Sequence, residues 1–365
     1  MNNKRRDIAA AAAAACLIFI LTVAFSLKPD GTYSDSERRK LASKPSLTLE
    51  TAVNGRYAEE YETYMADQFP LRDAFRRLKA CAGRYLFFLK DINGYYETEG
   101  QAAKVLYPLN EASLDHAAAS FSSLYEDYLK DCGRIVFSIV PDKGYYLAGT
   151  YGCPMLDYEA LEKRMAEKMP WAAYCKITDT LEASSYYRTD THWRQECLGE
   201  TAGRLAEALG VTLCDEGKTE EVKTDFYGVY SGQSALPLKP DSMSRYVNDA
   251  ILEAEVRYAE SGVTGQVYDE AALNGRDPYE YYLSGAEPLI MIRNPLAEND
   301  RRLILFRDSF ASSLAPYLIE AYREIIMVDT RYMAPSLLGD YVDPSGCDVL
   351  FLYSTLILND SFSLK

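Results

Sequence analysis

The sequence predicts an α/β protein: an open sandwich with a mainly parallel sheet, carried behind one amino-terminal transmembrane helix. Three observations predict it. Short apolar runs bounded by turn residues, at 134–140, 289–292, 303–306 and 349–353, alternate with stretches of helical periodicity, the pattern of buried strands covered by helices. Strand 303–306, helix 310–322 and strand 325–328 form a β-α-β unit, which implies parallel strands and a right-handed crossover. Lys4-Arg5-Arg6 precedes a run of twenty apolar or small residues, 8–27, with no charge inside it, which is long enough to cross a bilayer.

Taken in order, residues 1–28 are a basic cytoplasmic end and an uncleaved signal anchor, because no small-x-small cleavage site follows the apolar run clearly. The basic flank places the amino terminus in the cytoplasm and the remainder outside. Cleavage as a signal peptide is the alternative, since alanine makes the first half of the run only weakly apolar. Residues 29–50, with Pro29, Gly31, Pro45 and several serines, read as a polar tether. Residues 51–365 form the extracytoplasmic domain, with a helical segment at 51–90 and an insertion near 222–285. In the helical segment, Leu71, Phe75, Leu78 and Tyr85 recur at helical spacing after Pro70, so one face is expected to be buried as a stem. Docking to a membrane partner is the sharper alternative. A helix at 114–129 holds His116, strand 134–140 runs into Pro141-Asp142-Lys143-Gly144, and helix 158–169 and strand 171–177 follow. The helix at 195–209 precedes the Gly-, Ser-, Pro- and Tyr-rich stretch 222–250, an irregular cover; 251–282 is too mixed to assign. Pro316 falls inside the helix 310–322 and should kink or split it.

Composition narrows function. The chain of 365 residues is 48% apolar with 30 tyrosines, ample for a large core. Its net charge of −15 excludes a general nucleic-acid binder. Residues 1–27 hold three basic residues and one acidic one, leaving a balance of −17 beyond them; such a surface should not adhere to anionic lipid, so membrane association is assigned to the helix. Eight cysteines without a C-x-x-C spacing and only two histidines argue against a metal or redox cofactor, and none is expected.

The chemistry concentrates in Tyr187-Arg188-Thr189-Asp190-Thr191-His192-Trp193. In an extended segment Asp190 and His192 face one side, as an orienting carboxylate and a general base would. Ser309, in Leu305-Phe306-Arg307-Asp308-Ser309-Phe310, stands between an apolar strand and a helix, where ligands bind in open α/β sheets. It is the candidate nucleophile, with its own N–H as an oxyanion donor and Gly228, or else Gly232, as a second. Plainer roles compete: Ser309 or Asp308 as a helix cap, His192 as a structural histidine satisfied by Asp190, Trp193 as core, Gly228 as a turn. Arg307 contacts either a substrate carboxylate or a neighbouring acid, and stays outside the catalytic set.

D-T-H-W followed by R-D-S-F resembles the DHHW family, with Thr191 where its name motif has histidine, and is similar to the alginate O-acetylation proteins with SGNH-hydrolase-like domains. The segments S-E-R-R-K-L (36–41), D-Q-F-P-L-R-D (67–73) and D-F-Y-G (225–228) add to the resemblance, as do the residues from Arg307 to Tyr332. It implies an SGNH-hydrolase-like three-layer sandwich and a Ser309–His192–Asp190 triad. The implied activity is an O-acyltransferase, most simply O-acetyl, acting on a cell-surface or exported polysaccharide, with a multi-spanning membrane O-acyltransferase as acyl donor. A carbohydrate acetylesterase using the same triad, or a non-catalytic carbohydrate-binding or scaffold protein of the envelope, remain alternatives; the tyrosines suit sugar stacking or a core equally.

Overall fold

Two stripes of alternating side chains organise the large unit. Among the described residues, its central sheet has strands β1 (Ile135–Val140), β2 (Ala173–Tyr174), β3 (Glu255–Tyr258), β4 (Thr264–Gly265), β5 (Leu289–Arg293), β6 (Arg302–Arg307), β7 (Glu324–Val328) and β8 (Asp348–Ser354). Their spatial order is β4-β3-β5-β7-β6-β8-β1-β2. Pairings from β7 through β6, β8 and β1 to β2 are parallel, while β5, β3 and β4 run antiparallel at one edge. Leu303, Leu305, Ile325, Met327, Leu350 and Leu352 face one core, with helices Gly199–Leu209 and Ala311–Leu318. Ile304, Phe306, Ile326, Val328, Val349 and Phe351 face the other, under helices Glu111–Leu124 and Tyr158–Lys168. The period of two along each strand thus yields helices on both faces, the expected three-layer sandwich. The computed structural model describes residues 2–214, 217–259, 261–285 and 287–365.

The β-α-β unit around Ser309 forms as expected, with β6 and β7 paired in parallel from Arg302↔Glu324 to Phe306↔Val328. Pro316 sits inside helix Ala311–Leu318, and a 3₁₀ turn, Ile319–Ala321, follows. The strand expected at 171–177 shrinks to two paired residues, because Trp171 instead stacks on Tyr125 at 4.7 Å. The expected irregular cover at 222–250 is largely a hairpin: Lys218–Phe226 pairs antiparallel with Asp241–Val247, with register shifts after Glu221 and Lys223. The stretch left unassigned at 251–282 supplies the edge strands β3 and β4.

The backbone divides into two compact units, residues 2–89 with Ala235–Pro237, and Lys90–Ser234 with Leu238–Lys365. In the smaller unit an apolar helix, Asn2–Leu27, precedes a short hairpin (Tyr33–Ser34 with Arg39–Lys40) and the helices Leu49–Val53, Arg56–Gln68 and Arg72–Cys81. Two of the resemblance-bearing segments meet here. Arg39 donates to both carboxylate oxygens of Asp67 at 2.8 and 2.6 Å, Ser36 donates to Asp73 at 2.9 Å, and Arg72 pairs with Glu37. The stem expectation fails in one respect. Leu71, Phe75, Leu78 and Tyr85 are between 44% and 71% exposed, because the side of this helix that packs inward is the one bearing Arg72, Arg76 and Ala80.

Candidate active site

The carboxyl ends of the parallel strands gather a row of buried polar side chains. β1 runs into Asp142 and Lys143, β6 into Asp308 and Ser309, β7 into Asp329, and β8 into Ser354 and Thr355. Asp308 accepts from the N–H of Phe310 at 3.0 Å and of Ser354 at 2.7 Å, so it fixes the turn after β6 against the end of β8. Asp308 closes that turn ahead of helix Ala311–Leu318, which no side chain caps, so neither expected capping role forms and the Ser309 hydroxyl is left for other work. Ser309 is half-exposed beside buried neighbours, and its N–H has no partner among the described residues.

That hydroxyl lies 2.8 Å from His192 Nε2, and His192 Nδ1 lies 2.6 Å from Asp190 Oδ1. Residues 117 and 119 positions apart in sequence so form one relay from carboxylate to hydroxyl. The segment carrying Asp190 and His192 is not an extended strand. It is a tight bend closed by the His192 N–H on Asp190 Oδ1 at 3.0 Å, bracketed by the antiparallel bridge between Tyr186 and Trp193. The side chains meet through that turn rather than through strand alternation.

The bend is held from several sides. Asp241, on the hairpin, accepts from the N–H of Arg188 and Thr189 at 2.8 and 2.9 Å and from the Thr189 hydroxyl at 2.6 Å. Asp190 itself is fully buried, and its Oδ2 accepts from the Val229 N–H at 2.8 Å. The His192 ring stacks on Tyr279 with centroids 3.7 Å apart and planes 6° apart, and it meets Phe310 at 4.9 Å. Trp193 is core, and its indole N–H also donates to the Phe310 carbonyl and to Ser313 Oγ, both at 2.9 Å, tying the bend to the Ser309 helix. Thr191 accepts from the Tyr230 hydroxyl at 2.9 Å.

Gly228 corrects an expectation. Its N–H donates to Thr189 Oγ1 at 2.9 Å, so it is committed and does not serve as an oxyanion donor. Close approach is still the reason for glycine there, but to Asp190: a Cβ would lie 2.2 Å from Asp190 Cβ and 2.5 Å from its Cα. Gly232 lies in the helical turn Val229–Ser234. Arg307 is fully buried and donates to the carbonyls of Gly285 and Glu287 and to Ser312 Oγ, each at 3.1 Å, so it braces the loops behind β6. His116 is half-buried beside Ser361 and Phe362, outside the relay.

Lys143, in the Pro141-Asp142-Lys143-Gly144 loop after β1, lies close to the bend. It is 2% exposed, donates to the Tyr187 carbonyl at 2.9 Å, and lies 5.0 Å over the Tyr230 ring. Burial lowers its pKa to about 7, against the opposing pull of Asp190, Asp241 and Asp142. Asp142 accepts from Tyr158, Thr355 and the Gly144 N–H, and burial pushes its pKa up. Tyr279 and Asp241 carry no local sequence signal, since one tyrosine of 30 and one aspartate look like any other, whereas Lys143 lies in a Pro-x-Lys segment that resembles the family but whose role the sequence leaves open.

No family model matches the chain, and no curated protein does. Solved structures match it. A DHHW family protein from Eubacterium siraeum DSM 15702 superposes with a TM-score of 0.60 at 20% identity, over 73% of this chain and 93% of its own. PatB1 of Bacillus cereus, solved with a sulfonyl adduct, gives a TM-score of 0.58 at 16% identity, over 72% of this chain and 95% of its own. The O-acetyltransferase domain of Pseudomonas putida AlgJ gives 0.48 at 13% identity, over 73% of this chain and 92% of its own. The fold is thus one that this chain shares with a DHHW family protein, in keeping with the motif resemblance.

Proposed function

We propose that the chain is a membrane-anchored, extracytoplasmic O-acyltransferase that places an acetyl group on a hydroxyl of a cell-surface or exported polysaccharide. The observation that carries this reading is the unbroken Asp190–His192–Ser309 relay at the carboxyl edge of the sheet. Ser309 Oγ attacks the donor's acyl carbon while His192 Nε2 takes its proton. Asp190, on Nδ1, fixes the tautomer and stabilises the imidazolium. The N–H of Ser309 faces the developing oxyanion. The donor C–O bond breaks, and His192 returns the proton to the departing alkoxide. A sugar hydroxyl then gives its proton to His192 and attacks the acyl-serine, and Ser309 recovers a proton as it leaves. Water in place of the sugar makes the same cycle an esterase. The Tyr279 and Phe310 rings around His192 support transfer over hydrolysis, because they help keep water from the base.

The anchor reading rests on the 24-residue helix Lys4–Leu27, none of whose apolar span is buried, and on its basic flank, which keeps the amino terminus in the cytoplasm. A multi-spanning membrane O-acyltransferase is the donor that the family resemblance supports.

The test is intact-mass spectrometry of the full chain in detergent after exposure to an activated acetyl ester and, separately, to phenylmethylsulfonyl fluoride. PatB1 has been solved with a sulfonyl adduct, and the same class of reagent should mark Ser309 here. Both adducts are expected on wild type, absent from Ser309→Ala and slowed on the order of 10³-fold or more in His192→Ala. Loss of the acetyl adduct on adding oligosaccharide, with acetylated sugar as product, is the expected transfer. Free acetate alone would favour the esterase, and identical behaviour of wild type and variants would remove the triad.

A further inference from the structure

Residues 71–90 read Leu-Arg-Asp-Ala-Phe-Arg-Arg-Leu-Lys-Ala-Cys-Ala-Gly-Arg-Tyr-Leu-Phe-Phe-Leu-Lys: six basic side chains and one acidic, in a chain whose net charge is −15. The helix Arg72–Cys81 and the turn Ala82–Leu86 present Leu71, Phe75, Leu78 and Tyr85 on one outward stripe, at four-, three- and seven-residue steps. The stripe widens into five consecutive apolar residues, 85–89, each between 51% and 79% exposed. A soluble surface rarely leaves such a run in water, and a bundle core would have covered it.

The same unit says what lies nearby. The apolar helix Lys4–Leu27 ends in contact with helix Arg56–Gln68: Phe25 packs edge-on to Tyr64 at 6.0 Å, Lys28 donates to the Gln68 carbonyl at 3.3 Å, and Gln68 Oε1 accepts from the Gly31 N–H at 2.8 Å. Gln68 is only three residues before the stripe begins. Where Leu27 leaves the hydrocarbon, residues 71–90 are therefore within reach of the headgroups.

We propose that residues 71–90 form an interfacial membrane segment that lies on an anionic bilayer surface. Phe75, Leu78 and the 85–89 run enter the acyl boundary, and the exposed Arg77 and Lys79 face the lipid phosphates. Arg72 and Arg76 are turned inward to Glu37 and Lys90 donates to the Tyr151 carbonyl, so the exposed Arg77 and Lys79 are the basic residues of this stretch that complement anionic headgroups. The inference rests on the anchor reading above for the position of the bilayer.

Phe87→Trp tests it, against the background of Trp171 and Trp193. The full-length variant is reconstituted in vesicles of phosphatidylcholine and phosphatidylglycerol, with and without dibrominated acyl chains. Expected is at least twofold extra quenching of the introduced indole's emission by the brominated lipid, measured as the difference from wild type, with protection from acrylamide. Arg77→Glu with Lys79→Glu should remove most of that quenching in phosphatidylglycerol vesicles. An introduced indole open to acrylamide and blind to bromine overturns the proposal, and leaves the patch to a protein partner. Retention in vesicles after an alkaline wash reports the anchor separately. If the chain washes off, added vesicles that still quench the new emission uphold the surface while the anchor fails, and vesicles that do not quench it overturn both.

Discussion

Replacing Gly228 by alanine puts one methyl group against the acid of the relay. The added Cβ would sit 2.2 Å from Asp190 Cβ, 2.3 Å from its Oδ2 and 2.5 Å from its Cα. Carbon atoms rest at about 3.5–4.0 Å, so the two groups must part by more than about 1 Å. Neither can yield cheaply. Asp190 is fully buried, with its carboxylate held by the Val229 N–H and by His192. Gly228 is held by its N–H on Thr189 and by Phe226, which packs edge-on to Tyr187 at 5.0 Å. Gly228 does not have a positive φ, so alanine adds no backbone strain and the contact is the whole perturbation. A shift of about 1 Å stretches the 2.6 Å bond from Asp190 to His192 beyond hydrogen-bonding distance and turns the imidazole away from Ser309.

Misplacement on that scale costs about 10²-fold in rate, and overpacking costs about 1–3 kcal/mol in stability. The assay is the second-order rate of Ser309 sulfonylation by phenylmethylsulfonyl fluoride, followed by mass, with thermal unfolding alongside. A folded Gly228→Ala protein is expected to react roughly 100-fold more slowly. A variant that reacts within about threefold of wild type, with unchanged melting temperature, would refute the reasoning: the acid cradle would then be looser than its distances state.

Two further outcomes follow from the same geometry. Lys143 has a folded pKa near 7, depressed from its ordinary 10.5, so between those values the unfolded chain holds a proton that the native chain has released. Stability therefore rises with pH through that window, by up to about 1.4 kcal/mol per unit, and the burial penalty is fully felt below it. Urea unfolding at pH 6.5 and 8.5 should show that rise in wild type and not in Lys143→Met, and parallel behaviour would count against a buried ammonium among Asp190, Asp241 and Asp142. Tyr279→Phe keeps the ring on His192 and should sulfonylate within about threefold of wild type, whereas Tyr279→Ala, losing the 3.7 Å stack, should slow at least about tenfold. Equal rates for the two would show that the ring does not orient the base.

The centre of the sheet was legible because its strands are buried on both faces and so read as continuous apolar runs, as at 303–306 and 349–353, whereas the edge strands at 255–258 and 264–265 are exposed in part and do not. What failed did so where local pattern and tertiary context disagree. The hairpin at 218–247 carries mostly exposed polar residues on its first strand, which conceals it from a search for apolar periodicity. Leu71, Phe75, Leu78 and Tyr85 have the spacing of a buried face and are exposed, because periodicity reports amphipathicity and not what covers the apolar side. Asp190, His192 and Ser309 could be named from residue type and motif. Tyr279 could not, since its place over the imidazole depends on a loop brought in from beyond the hairpin.

The site's parts are held with unequal stiffness, and this bears on what they do. Ser309 stands two residues after β6, and its turn is clasped to β8 through Asp308, so its position is set by the register of the sheet. His192 and Asp190 belong to a bend outside the sheet, fixed from four places: the Asp241 side chain on the hairpin, the Val229 N–H between its strands, the Tyr279 ring, and Lys143 at the end of β1. A structural histidine satisfied by one aspartate would need none of the last three. Nor would it need its free nitrogen aimed at a half-exposed serine whose own N–H is unpartnered among the described residues. Burying a lysine, two aspartates and an imidazole together costs stability that a plain core would not spend. On the function proposed above, that cost holds the imidazole at one orientation toward Ser309 while its charge changes.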